Sequence, residues 1–178
     1  MRLFIGVALE PQLKEQLNKI AQRLKEQALK GKFIFKDNYH LTVAFLGDVE
    51  PDKLNLLADT IKSTRGTPFS FTIEGLGTFK RNGGDIYWLG IKAGQALFTY
   101  QVALTANLLK AGFTVEDKPY RPHLTLGRQV AVPSGFKKEE IMLPQDLTVN
   151  TAKITLFESV RIDSKLTYRE LDDFTLAE

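Results

Sequence analysis

The 178-residue chain contains no cysteine, and this absence excludes several kinds of chemistry. Without cysteine the chain has no disulfide, no thiolate metal ligand and no thiol nucleophile. No run of apolar residues reaches the length of a membrane-spanning helix, so we expect no membrane association. The formal net charge of +3 gives no strong polyelectrolyte signal, although a slightly basic protein is compatible with a nucleic-acid substrate.

Histidine is nearly as scarce, because the chain has only two, and both occupy the same local sequence. Residues 40–43 read HLTV and residues 123–126 read HLTL. Histidine is the side chain best suited to donate or accept a proton near neutral pH. The alternative is a pair of unrelated strand histidines, each beside a threonine that favours β structure. The repetition instead favours one shared chemical role for both motifs.

The spacing His-x-Thr is informative if each motif lies in a β-strand. Side chains at positions i and i+2 point to the same face of a strand. His40 and Thr42 therefore share one face, and so do His123 and Thr125, while the intervening apolar residues anchor each strand in a core. If two such strands lie side by side, two imidazoles and two hydroxyls converge. We interpret this as a site for an anion with exchangeable protons, most naturally a phosphate ester.

The motifs begin 83 residues apart, and the elements predicted around them repeat at the same interval. Hydrophobic periodicity and β propensity predict three matched pairs of segments. They are strands at 3–9 and 86–92, helices at 11–30 and 96–111, and β-rich stretches at 69–75 and 152–159. A further helix is predicted over 51–63, a short helix over 137–142 and a last strand over 165–176. Residues 1–178 are thus expected to form a single, pseudo-twofold α+β domain with an active cleft on the axis.

With these motifs the chain resembles the 2H phosphoesterase superfamily, which is named for two such histidine motifs. Within it, the chain is most similar to the RNA 2′,3′-cyclic phosphodiesterase family, also called 2′-5′ RNA ligase. The similarity is carried by residues 2–7 (RLFIGV), 38–47 (NYHLTVAFLG), 120–128 (YRPHLTLGR) and 156–159 (LFES), followed by Tyr168. One departure is residues 33–37 (FIFKD), where the family often has Trp and Pro. The resemblance implies a bilobal α+β fold, with two antiparallel sheets lining a central cleft and helices outside.

The resemblance also implies a reaction, in which an RNA 2′,3′-cyclic phosphate end is hydrolysed to a 2′-phosphomonoester without metal or cofactor. Such a reaction needs a base for the attacking water and an acid for the leaving ribose oxygen. The residues alone give the histidine pair, and the resemblance makes His40 the acid and His123 the base. Thr42 and Thr125 are expected to donate hydrogen bonds to the non-bridging phosphate oxygens, where charge grows in the transition state. Run in reverse, the site would join a cyclic end to a 5′-hydroxyl.

Arg128 is the candidate for a positive clamp on the phosphate. Strict alternation from Thr125 would turn this side chain to the wrong face, but Gly127 permits a bulge that re-aims it. It also matches the arginine that follows the second motif in the resembled family. The alternative is an ordinary surface arginine.

Several alternatives stay open. Two histidines can ligate zinc, but the chain lacks cysteine, and neither motif has a nearby acidic partner apart from Asp37 and Asp48, so we expect no metal site. The same site could act on another cyclic nucleotide, on ADP-ribose cyclic phosphate or on a 2′-5′ oligonucleotide. A non-catalytic RNA-binding module would not need two titrating groups. We expect a cytoplasmic monomer.

A base-stacking residue is expected among the strand aromatics, since single-stranded RNA ends are commonly held on aromatic rings. Most strand aromatics nevertheless belong to a core. The candidates are Phe4, Tyr39, Tyr87, Trp88, Tyr120 and Tyr168.

Overall fold

The computed structural model describes residues 1–141, 143–144 and 147–177, which form an α+β fold with two antiparallel sheets. The three helices are α1 (Pro11–Gln27), α2 (Leu54–Ser63) and α3 (Gln95–Lys110). The strands are β1 (Arg2–Ala8), β2 (Lys30–Phe33), β3 (His40–Asp48), β4 (Phe69–Phe79), β5 (Asp85–Ala93), β6 (His123–Ala131), β7 (Thr148–Thr151), β8 (Lys153–Ile162) and β9 (Lys165–Thr175).

The two sheets share one plan. The first sheet has the strand order β3-β1-β8-β9 and the second has the order β2-β6-β5-β4-β7. Each motif strand, β3 or β6, pairs with the strand that opens its half of the chain, β1 or β5. The segments predicted as equivalent, β8 and β4, lie on the far sides of β1 and β5. The pseudo-twofold arrangement and the fold class are therefore confirmed.

The lobes nevertheless do not coincide with the halves of the sequence. Strand β4 comes from the first half but lies in the second sheet, while β8 and β9 come from the second half and lie in the first sheet. Each half thus completes the other's sheet. This exchange supports the expectation of one domain, because neither sheet can form from one half alone.

The predicted helix over 11–30 is too long. Leu17, Ile20 and Leu24 are buried on one side of α1 as expected, but the helix ends at Gln27. Ala28 is already extended, and the Leu29 N–H donates to a carbonyl of β6 at 2.8 Å. Pairing with β6 therefore begins before Gly31. Gly31 lies in β2 and does not end the helix.

Two other predicted helices change in detail. The helix predicted over 51–63 begins with a 3₁₀ turn, Pro51–Lys53, before α2. The short helix predicted over 137–142 is a 3₁₀ turn at Lys138–Glu140, and Met142 lies outside the described residues. Neither change affects the motif strands.

Candidate functional site

The two motif strands meet. Strands β3 and β6 belong to different sheets and contact each other. Across this contact the Tyr120 hydroxyl, just before the second motif, donates a 3.0 Å hydrogen bond to the carbonyl of Thr42 in the first. Burial is the main cause that lowers the pKa of His40, and an electrostatic contribution from His123 lowers it further, so the two rings lie close enough to interact. The two imidazoles therefore face one cleft between the sheets.

Both imidazoles are oriented in the same way. Nδ1 of His40 lies 2.7 Å from the carbonyl oxygen of Asn38, and Nδ1 of His123 lies 2.6 Å from that of Arg121. A carbonyl can only accept, so each Nδ1 carries the proton and donates it. In each neutral ring this leaves the lone pair on Nε2. The same device, a carbonyl two residues before the histidine, fixes both tautomers.

The two motifs differ at Nε2. In the first, His40 Nε2 lies 2.9 Å from Thr42 Oγ1. In the second, the described part of the chain offers no hydrogen-bond partner to His123 Nε2, and Thr125 makes no such bond to it. One imidazole is therefore engaged with its threonine, and the other is free to meet a ligand.

Aromatic rings enclose both histidines. Phe4, Tyr168 and Phe157 surround His40, with ring centroids at 4.6, 5.0 and 5.6 Å respectively. Of these, Phe4 and Phe157 stack at 4.9 Å. Around His123, the ring centroid of Phe79 lies at 5.2 Å and that of Trp88 at 5.9 Å.

The six aromatic residues considered for base stacking differ in exposure and in their contacts with the motif histidines. Phe4, Tyr39 and Tyr87 are buried in the core at 2–3% exposure, as expected for most of them. The partly exposed ones are Trp88, Tyr120 and Tyr168. Of these three, Trp88 and Tyr168 touch a motif histidine, as the buried Phe4 also does. The contacts of Phe79 and Phe157 were not expected, because they depend on strand register that the sequence does not show.

Burial among these rings holds both imidazoles neutral in the free protein. Burial lowers the pKa of His40 to about 4, although the hydrogen bond to the Asn38 carbonyl raises this pKa. Electrostatic contributions from Lys14, His123 and Arg128 lower it further. Burial and the Arg128 charge also lower the pKa of His123. Desolvation penalises an imidazolium, whereas a nearby anion stabilises it. A bound phosphate would therefore favour protonation of one ring.

Arg128 faces the cleft, because a bulge follows the second motif. Trp88 pairs with Thr125 and Tyr87 with Gly127, so one residue of β6 is left unpaired between them. The predicted re-aiming bulge at Gly127 is thus present. The guanidinium charge of Arg128 acts on both motif histidines, and it makes no ion pair with any described carboxylate.

Asn38 is a residue that the sequence did not single out for the site. Its side chain is buried at 5% exposure; Nδ2 donates to the Leu166 carbonyl at 2.8 Å, and Oδ1 accepts from the Tyr168 N–H at 2.9 Å. Its own carbonyl holds His40 Nδ1. Asn38 therefore fixes both a motif histidine and the strand that carries a ring against it. The only available signal was its position two residues before the histidine.

Asn38→Ala is expected to destabilise the protein by about 2–4 kcal/mol, because two backbone groups of β9 lose buried partners. It should also lower kcat, because the side-chain hydrogen bonds that hold residue 38, and with it the carbonyl that orients His40 Nδ1, are lost. Urea unfolding and kcat at 25 °C measure the two effects. The matched control is Asn107→Ala, which removes a 3.0 Å hydrogen bond to Thr64 away from the cleft. If both variants reduce kcat equally, Asn38 acts on stability alone.

Two further properties of the molecule concern metal binding and membrane spanning. Among residues 1–141, 143–144 and 147–177, no three histidine, aspartate or glutamate side chains are grouped to hold a metal ion. Over the same residues, no helix combines the length and the apolarity needed to cross a membrane.

Comparison with known proteins places this geometry among phosphoesterases. The model of the family described as LigT like Phosphoesterase matches residues 7–87. The RNA 2′,3′-cyclic phosphodiesterase of Thermotoga maritima is 33% identical over 160 residues, covering 86% of this chain and 85% of that protein. A protein of the same name from Methanothermobacter thermautotrophicus is 34% identical over 131 residues, covering 72% and 71%. Escherichia coli LigT, solved with 3′-AMP, has a TM-score of 0.85 at 24% identity, covering 99% of this chain and 98% of that one, and so shares the fold.

Proposed function

Because this chain belongs to the LigT-like phosphoesterase family, we propose that it hydrolyses the 2′,3′-cyclic phosphate at the end of an RNA. The product is a 2′-phosphomonoester with a free 3′-hydroxyl. If a 5′-hydroxyl attacks in place of water, the same opening of the P–O3′ bond forms a 2′-5′ linkage. The observation that carries the proposal is the contact between the two motif strands, each of which presents a histidine whose Nδ1 donates to a carbonyl. Two curated relatives that cover most of this chain bear the name of that activity.

In the proposed mechanism, His123 Nε2 takes the proton of the attacking water and His40 Nε2–H protonates the leaving ribose oxygen. The asymmetry at Nε2 supports this assignment. The free His123 Nε2 can meet water. His40 Nε2 lies 2.9 Å from Thr42 Oγ1, and once protonated it no longer accepts the Thr42 hydroxyl proton, which becomes available to the phosphate. The Nε2–H then leaves Thr42 Oγ1 when it is transferred to the leaving oxygen. The negative charge of the substrate favours the imidazolium that burial disfavours.

Thr42, Thr125 and Arg128 are proposed to bind the non-bridging oxygens, on which charge grows in the transition state. Thr42→Val or Thr125→Val should lower kcat by about 2- to 12-fold, since one hydrogen bond from an uncharged hydroxyl contributes about 0.5–1.5 kcal/mol. Serine at the same position keeps the hydroxyl and should retain most of the activity. Steady-state kinetics on a cyclic-ended RNA measure the effect. An unchanged kcat in both valine variants would remove the threonines from the mechanism.

Substrate choice is tested with a panel at equal concentration. It contains a short RNA ending in 2′,3′-cyclic phosphate, ADP-ribose cyclic phosphate and a 2′-5′-linked oligonucleotide. We expect the highest kcat/KM with the RNA. A higher value with either competitor would move the assignment to that substrate, and RNA binding without any turnover would favour a binding module.

The remaining parts of the proposal concern the state of the protein. We propose one domain, acting as a monomer in the cytoplasm and requiring neither metal nor cofactor. The exchange of β4 and β8 between the sheets supports the single domain. Sedimentation of the purified protein at micromolar concentration tests the monomer.

A further inference from the structure

The first lobe has no arginine at the position that Arg128 occupies in the second. A bulge follows both motifs at the same step, because Gly6 pairs with Thr42 and Ile5 with Ala44, leaving one residue of β3 unpaired. Counting 83 residues back from Arg128 therefore gives an equivalent position, and Phe45 occupies it.

Arg2 restores a positive charge at this position from the neighbouring strand. Its guanidinium carbon lies 5.2 Å from the centroid of the Phe45 ring, a cation–π contact that holds the side chain in place. Phe45 pairs with Phe4, which contacts His40. Arg2 lies two residues before Phe4 on β1, so both point to the cleft face.

Arg2 is also available to a ligand. It is exposed, and none of the described carboxylates forms an ion pair with it, including its β3 partner Asp48. Burial raises the pKa of Tyr168, and the charges of Arg128 and Arg2 offset part of that effect. Two guanidinium groups, one from each lobe, therefore act on the phenol that packs against His40.

We propose that Arg2 binds the phosphodiester that precedes the terminal nucleotide of the RNA. A guanidinium presents five donors in a plane and no acceptor, which suits a phosphate rather than a base edge. Arg128 is proposed to bind the reacting phosphate, so a second cation on the opposite lobe can bind the next phosphate along the RNA strand. This inference rests on the proposed function, and it makes the enzyme selective for RNA ends over mononucleotides.

Three substrates test the inference. They are a mononucleoside 2′,3′-cyclic phosphate, a dinucleotide ending in the cyclic phosphate, and the same dinucleotide with a neutral methylphosphonate linkage. Wild type should prefer the charged dinucleotide. Arg2→Gln should lower kcat/KM for it about tenfold, mainly through KM, and should change the other two substrates less than about twofold.

Two further variants and a salt series sharpen the result. Arg2→Lys keeps the charge and should recover part of the loss, whereas Lys62→Gln removes one positive charge on α2 and should match wild type on every substrate. The slope of log(kcat/KM) against log[salt] for the charged dinucleotide should become shallower by about 0.7 in Arg2→Gln, as expected for one lost single-strand phosphate contact.

The outcomes separate the two proposals. If wild type hydrolyses no cyclic substrate, the proposed function fails and the inference fails with it. If wild type is active but Arg2→Gln lowers kcat/KM equally for all three substrates, Arg2 acts on the reacting phosphate and the inference alone is wrong. It is also wrong if Arg2→Gln matches wild type throughout.

Discussion

Replacing His40 or His123 with alanine is expected to lower kcat on a cyclic-ended RNA by about 10²–10⁴, the range that positioned acid–base catalysis contributes. Each imidazole is the only titratable group placed by its motif to exchange a proton at the phosphate. The two losses should not add in the double variant, since acid and base act in one step.

The control for these variants is the fold. Both histidines lie on strands whose anchors, Leu41 and Leu124, are fully buried, so the circular dichroism spectrum and the urea midpoint should change little. A folded His40→Ala or His123→Ala protein that keeps more than about a tenth of wild-type kcat would contradict the two-histidine mechanism.

Arg128→Gln is expected to produce the second largest loss, about 10- to 100-fold in kcat/KM, because a charged hydrogen bond to phosphate contributes about 1.5–3 kcal/mol. It should also change the pKa values of both histidines. The Arg128 charge lowers the pKa of His40 and of His123, so removing it raises both. Because the base must be neutral, the acid limb of the kcat/KM profile should move to higher pH.

The pKa changes can be read directly, since the chain has only two histidines and each ring signal is assigned from its alanine variant. NMR titration of Arg128→Gln should show both pKa values raised relative to wild type. Arg128→Lys keeps the charge and should leave them near the wild-type values. If neither pKa moves in Arg128→Gln, the guanidinium does not face the cleft.

The sequence predicted the parts of the site that depend on local pattern. The motif faces follow from strand alternation, and the bulge at Gly127 follows from the residue type. The family resemblance and the α+β fold are confirmed, while the catalytic roles of His40, His123, Thr42, Thr125 and Arg128 stay predictions.

The other parts of the site depend on register between distant strands. Arg2 reaches Phe45, and Phe157 stacks on Phe4, only because β1 lies between β3 and β8. The Asn38 bridge to β9 spans about 130 residues of sequence. The premature end of α1 has the same origin, because a pairing with β6 replaced the last helical turn. Long-range pairing decided each of these features, and local propensity does not encode it.

The most direct test is hydrolysis of a short RNA ending in 2′,3′-cyclic phosphate, in EDTA, by wild type and both histidine variants, with the product identified by chromatography. The two-histidine mechanism predicts a 2′-phosphate product, a rate that EDTA does not change, and loss of that product in both variants. Turnover that EDTA abolishes, or that survives in either folded variant, would contradict it.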